Sequence, residues 1–178
     1  MKKIGLAGAH GTGKSTLREI IVEETGLYSI DRTLRDYWEE NGIEDFEKLP
    51  PDARALHQKH IIARQIEREE SEGKNGFVTD RTVLDIIGYL RLSSNMSGID
   101  LKIFEELTRL RMQKYTHFIY VPVEFEAEPE RLRAHPSSQR QVADHMESYL
   151  KKWLREDEYL VVRGSVEERM FQIREYLK

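Results

Sequence analysis

The chain has 178 residues, length enough for one domain with a sizeable core, and its 28 Lys and Arg against 32 Asp and Glu give a net charge of −4. That balance lacks the overall basicity of a nucleic-acid binder, so nucleic acid is not an expected partner. Without cysteine there is neither a disulfide frame nor a thiolate zinc site.

In chain order, Met1-Lys2-Lys3 leads into an apolar run too short for a signal peptide, so residues 3–7 read as a buried strand. The strand enters Gly8-Ala9-His10-Gly11-Thr12-Gly13-Lys14-Ser15, followed by Thr16, which fits G-x-x-x-x-G-K-[ST] without a mismatch. Glycines at 8, 11 and 13 let backbone N–H groups approach phosphate oxygens. Lys14 sets an ammonium against the β/γ-phosphates, and the Ser15 hydroxyl can ligate Mg²⁺. The loop must also open a helix, whose N-terminus favours an anion. Residues 15–25 supply it, with Leu17, Ile20 and Ile21 on one side and Gly26 at the C′ position.

Residues 27–30 make a second strand ending at Asp31-Arg32-Thr33, and 34–40 a helix stopped by Asn41-Gly42. A polar connection, 43–52, precedes a long helix over 52–72, with Ala55, Ile62, Ile66 and Leu56, Ala63 offering an apolar stripe. His57 and His60 lie three apart on it with no third ligand nearby, which does not make a metal site. Strand three, 77–79, ends at a second Asp-Arg-Thr, 80–82. A helix over 83–92 and a loop over 93–98 follow, and Asp100 can cap the next helix. Residues 116–121 form strand four. Residues 124–139 lack a clean period, 140–156 form a helix, 159–162 a fifth strand, and Ser165 with Glu168 a capping box for the last helix.

Strands alternating with helices imply a three-layer α/β/α P-loop NTPase fold with a five-stranded parallel sheet, a single domain over 1–178 and a segment near 124–139 able to act as a lid. No stretch approaches the roughly 20 apolar residues of a membrane span, so a soluble cytoplasmic protein is expected. Ligands in such sheets bind at the carboxyl ends of the strands. Both Asp-Arg-Thr elements fall there, with Asp80 in a Walker-B-like place for Mg²⁺. Alternatively, Asp31 and Asp80 cap the helices behind them. Arg32, Arg35 and Arg81 cluster near strand ends, and Arg131, Arg133 and Arg140 in the late irregular stretch. They read either as solvated charges or as clamps on phosphoryl oxygens.

Taken together, GAHGTGKST, YSIDRT, FVTDRTVLD and the arginine-bearing late segment resemble the nucleoside and nucleotide kinase group of P-loop proteins, such as thymidylate and deoxynucleoside kinases. The resemblance implies ATP and Mg²⁺, Arg81 at the acceptor's 5′ end, Asp31 as base, Arg32 on an acceptor phosphate, Gln58 reading a base, and 128–140 as lid. Residues 65–69 with 164–169 are also similar to small AAA-type domains related to nicotinamide riboside kinases, although Glu128-Pro129-Glu130-Arg131 stands where those carry Asp-Gly-x-Arg.

The expected function is transfer of the γ-phosphoryl of ATP to a nucleoside monophosphate or nucleoside, with a lean to the monophosphate. Lys14, Asp31, Arg81, Arg131 and Arg133 would act in transfer. Asp31, Arg32, Arg35, Gln58 and Arg81 would meet the acceptor, and Ser15 and Asp80 the metal. A nicotinamide-riboside-type or other small-molecule kinase is one alternative, and a P-loop ATPase or switch acting on a macromolecule another. A GTPase is disfavoured by the missing Asn-Lys-x-Asp motif. A homodimer stands as an open expectation.

Overall fold

Short apolar stretches bounded by turn residues pair into one sheet, and the periodic segments between them wind into helices. The computed structural model describes residues 1–93, 97–124 and 136–178. Strands β1 (Lys3–Ala7), β2 (Tyr28–Ile30), β3 (Phe77–Thr79), β4 (His117–Tyr120) and β5 (Leu160–Val161) lie in the order β2-β3-β1-β4-β5, every pairing parallel. Among the described residues the helices are α1 (Lys14–Thr25), α2 (Thr33–Glu40), α3 (Pro51–Ser71), α4 (Val83–Ser93), α5 (Gly98–Met112), α6 (Pro136–Trp153) and α7 (Val166–Tyr176). Sheet and helices form the expected three-layer α/β/α arrangement.

The period-2 alternation of the strands decides which helices cover which face. Ile4 and Leu6 of β1, with Val78 and Ile119, pack against Leu17 and Ile21 of α1 and Met170 and Ile173 of α7. Their neighbours Ala7, Phe77, Phe118 and Tyr120 turn to the opposite cluster, built with Ile62, Leu84, Ile87, Met146 and Tyr149 from α3, α4 and α6. Burying each aliphatic side chain contributes about 1.5–3 kcal/mol, which makes the sheet the stiff frame on which loop residues are mounted. The register pairs Ile30 with Thr79 and Gly5 with Thr79. The residues that follow, Asp31, Asp80 and the P-loop, therefore emerge side by side at one edge.

Several element boundaries differ from the sequence reading. Helix α6 begins at Pro136 rather than at 140, so the end of the 124–139 stretch is helical. Ser97 rather than Asp100 caps α5: its hydroxyl accepts the Asp100 N–H at 3.1 Å. On α3 the buried face is Ala55, Gln58, Ile61, Ile62, Gln65 and Glu69, while Leu56 and Ala63 are exposed. The capping box of Ser165 and Glu168 is present in full. No helix among the described residues is long and apolar enough to cross a membrane.

Candidate active site

The P-loop leaves β1 and opens α1, and three of its glycines hold positive φ: Gly8 at 154°, Gly11 at 75° and Gly13 at 87°. Gly8 is the tightest position, since a Cβ there would lie 2.3 Å from the Val121 carbonyl oxygen. Around the loop, strand ends β2 and β3 and helices α1 to α3 enclose a cleft of about 820 Å³. Its lining carries five cationic side chains, Lys14, Arg18, Arg32, Arg35 and Arg81, against three carboxylates, Glu19, Asp31 and Asp80. That cationic excess suits a polyphosphate.

The loop is braced from three sides. Thr12 closes it from within, donating its hydroxyl to the Ala9 carbonyl at 3.0 Å. From α4, the fully buried Asp85 accepts the Gly8 N–H at 3.1 Å through Oδ1. Its Oδ2 accepts the Thr82 N–H at 2.9 Å and hydroxyl at 2.8 Å. Burial pushes the Asp85 carboxyl up, opposed by the charges of Lys14 and Arg81. From α7, Arg169 donates to the Thr12 carbonyl at 2.7 Å and pairs with Glu124. From α6, Gln139 donates to the His10 carbonyl at 2.7 Å. Lys14 itself folds back on the loop, donating to the carbonyls of Gly8 at 2.5 Å and Ala9 at 2.6 Å, with Asp85 Oδ1 at 3.9 Å.

Ser15 donates its hydroxyl to Asp80 Oδ2 at 2.6 Å. These two hard oxygen ligands fit Mg²⁺, which takes one or two carboxylates and completes its shell with phosphate and water. Asp80 does not cap α4. Thr82 does, its carbonyl accepting the Asp85 N–H at 3.1 Å and its hydroxyl the Leu84 N–H at 3.2 Å. Nor does Asp31 cap α2, whose N-cap is Arg32 without a side-chain cap bond. Instead Asp31 pairs with Arg18, one turn along α1 from Lys14. Its backbone carbonyl is held by Arg68 of α3 at 2.5 Å.

Arg32 is the one non-glycine residue among those described with positive φ, 56°, a conformation that typically costs about 1–2 kcal/mol. The twist lets the chain turn from β2 into α2 directly after Asp31. It also swings the Arg32 guanidinium over its own helix, where Nε donates to Asp36 at 3.0 Å and Nη2 to Glu39 at 3.3 Å. Arg81 lies against the Tyr89 ring, 5.8 Å from its centroid, and Tyr89 in turn accepts the His10 N–H at 3.2 Å.

Most of the expected contact residues line this cleft: His10 through Thr16, Asp31, Arg32, Arg35, Asp80 and Arg81. Gln58 does not; it is buried on α3, and Gln65 from the same helix reaches the cleft, donating to Thr79 at 3.1 Å. Arg131 and Arg133 lie outside the described residues. Arg140 is exposed on α6.

Four residues escaped the sequence reading. Arg18 carried a usable signal, its i+4 spacing from Lys14. Asp85 stands inside FVTDRTVLD and looks like an ordinary first-turn acid. Arg169 acts across 157 positions, and no local pattern reveals that. Trp38 lines the cleft stacked on Phe46 at 5.7 Å, its buried indole N–H without a partner among the described residues.

Comparison with known proteins agrees with this arrangement. The model of the AAA domain family matches residues 3–169. No curated protein sequence matches the chain. Among solved structures, deoxyadenosine kinase from M. mycoides with products dCMP and dCDP is similar with a TM-score of 0.75 at 17% identity, over 98% of this chain and 97% of that one. The same enzyme with bound dATP gives 0.70 at 16%, over 98% of both chains. A NadR protein in complex with NR gives 0.74 at 16%, and this chain, 98% covered, spans about half of it (50%). The family match covers nearly the whole chain, P-loop included: the chain belongs to the AAA domain family, with the fold of the P-loop nucleoside and nucleotide kinases.

Proposed function

We propose that the chain is an ATP-dependent kinase that phosphorylates the hydroxyl of a nucleoside. The observation that carries this reading is the placement of Asp31. It stands at the end of β2, beside the Ser15–Asp80 pair, with Oδ1 free of hydrogen bonds from the described residues. A nucleoside hydroxyl needs a base in that position. Asp31 takes the hydroxyl proton, the acceptor oxygen bonds to the γ-phosphorus, and the bond to the β–γ bridging oxygen breaks to release ADP. Lys14 turns from the Gly8 and Ala9 carbonyls to the phosphates, and the loop amides bind their oxygens. Ser15 and Asp80 would hold Mg²⁺, which would supply positive charge against the phosphates.

The sequence leans to a monophosphate acceptor because arginines gather at the strand ends. Arg32 argues otherwise here, since Asp36 and Glu39 already occupy its guanidinium. A monophosphate is the second reading, favoured by Arg35 and Arg81 in the cleft wall. The test is a panel of nucleosides, their monophosphates and nicotinamide riboside with Mg-ATP, scored for ADP and phosphorylated product. Asp31→Asn should lower kcat by about 10²–10⁴ with the preferred nucleoside, while Arg32→Ala stays near wild type. Turnover of monophosphates alone, with a crippled Arg32→Ala and an active Asp31→Asn, would reverse the assignment.

A further inference from the structure

Arg18 has no part in the phosphate-binding motif, yet like Lys14 it is a buried cation in the cleft wall. Only 8% of it is exposed. Its Nη1 pairs with Asp31 Oδ2 and donates to the Ser29 hydroxyl at 2.9 Å. Nη2 donates to Glu19 at 3.0 Å. Nε has no hydrogen-bond partner among the described residues and lies 3.8 Å from Asp80 Oδ2, the same oxygen that accepts the Ser15 hydroxyl. One guanidinium thus stands between the acids of two neighbouring strands.

The two acids are chemically equivalent, and both follow paired residues of β2 and β3. Left to themselves, two adjacent carboxylates can both ligate one divalent cation, because Mg²⁺ accepts a second carboxylate in place of a water. A base that ligates the metal cannot accept a proton from the acceptor. We propose that Arg18 is the positioning residue that separates the two roles: it saturates one oxygen of Asp31, keeps that carboxylate out of the metal's coordination sphere, and leaves Asp80 alone to Ser15 and the cation. Arginine suits this task, since a planar fork of donors holds the Asp31 oxygen in a fixed direction where a lysine ammonium is a single point charge. The assignment rests on the phosphotransfer reading for Asp31, but the geometry it describes is independent of which acceptor is used.

The test measures Mn²⁺ binding in the presence of the non-hydrolysable nucleotide AMP-PNP, by electron paramagnetic resonance of free Mn²⁺, together with turnover. Arg18→Met keeps the aliphatic stem and removes the charge. Mn²⁺ affinity should rise by clearly more than about fivefold, the share that loss of one unit charge near 4 Å gives on its own in a high-dielectric cleft. At the same time kcat should fall by about 10²-fold, as for a misplaced catalytic group. In Arg18→Met with Asp31→Asn, the gain over Asp31→Asn should drop back to about that fivefold, because Asp31 is the extra ligand. A gain as large in the double variant, or Mn²⁺ affinity that falls in Arg18→Met, overturns the proposal. Arg18→Lys decides the matter should the methionine variant not fold: it keeps the charge but not the fork, so a wild-type kcat there would refute the positioning role. If the wild type phosphorylates no acceptor, the phosphotransfer reading fails while the Mn²⁺ cycle still judges Arg18.

Discussion

Asp85 offers the sharpest measure of how the phosphate loop is held. Its carboxylate is fully buried and accepts three hydrogen bonds, from Gly8 N–H, Thr82 N–H and the Thr82 hydroxyl. In Asp85→Ala the hydroxyl can turn elsewhere, but the two amides are fixed by the backbone and lose their acceptor without gaining water. At about 1–3 kcal/mol for each orphaned buried donor, the variant should lose about 2–6 kcal/mol. That is a large share of the roughly 5–15 kcal/mol typical of a domain. Asp85→Asn keeps one carbonyl oxygen and should fall between wild type and alanine. Urea unfolding followed by tryptophan fluorescence reads both, through Trp38 and Trp153. An alanine variant within about 0.5 kcal/mol of wild type would show that α4 does not brace the loop and that the buried carboxylate is incidental.

Three further outcomes follow from the same geometry. Lys14→Ala should lose about 10²–10³ in transfer rate, the usual cost of removing one electrostatic contact to the transferring group, with an unchanged circular dichroism spectrum; near wild-type turnover would remove the loop from the mechanism. Gly8→Ala should abolish ATP binding and lower the melting temperature, because its Cβ would meet the Val121 carbonyl oxygen at 2.3 Å between two fixed strands; an ATP-competent variant would contradict that contact. His57 packs on the Tyr37 hydroxyl at 2.8 Å, and burial, then the charge of His60, lowers its pKa from 6.5. A lowered folded-state value gives stability that is present above 6.5 and lost as pH falls through the folded-state pKa. The stability advantage of wild type over His57→Asn should therefore shrink between about pH 7.5 and pH 5.5, and an advantage that grows would refute the sign.

The parts legible in the sequence are those set by local spacing. β1, the P-loop and α1 follow from a motif whose glycines and lysine have fixed offsets, and the parallel sheet follows from strands alternating with helices. Where two residues could do one task, spacing alone chose badly. Ser97 and Asp100 are both good N-caps, and α5 begins one turn earlier than the acid suggests. On α3 the buried stripe includes Gln58, Gln65 and Glu69, polar residues that a hydrophobic pattern passes over; Gln65 donates to Glu69 at 2.8 Å, and Glu69 is also satisfied from distant elements by Tyr115 at 2.6 Å and Arg111 at 3.1 Å. The pairing of Arg18 with Asp31 needed the α1–β2 packing to be seen. Arg32 shows the reverse case. Its i+4 partner Asp36 is legible in the sequence, and the structure shows that pair beside the cleft that Arg32 also lines.

The clasp between Arg169 and the Thr12 carbonyl joins nearly opposite ends of the chain. During synthesis the phosphate-binding loop leaves the ribosome before its supports, which arrive in order: Asp85 with α4, Gln139 with α6, and Arg169 with α7. A product cut short before residue 169 would display the full nucleotide motif with its Thr12 oxygen unheld and Glu124 without its counter-ion. Such a product would lack one of the three helix-borne supports of the loop, those from α4, α6 and α7.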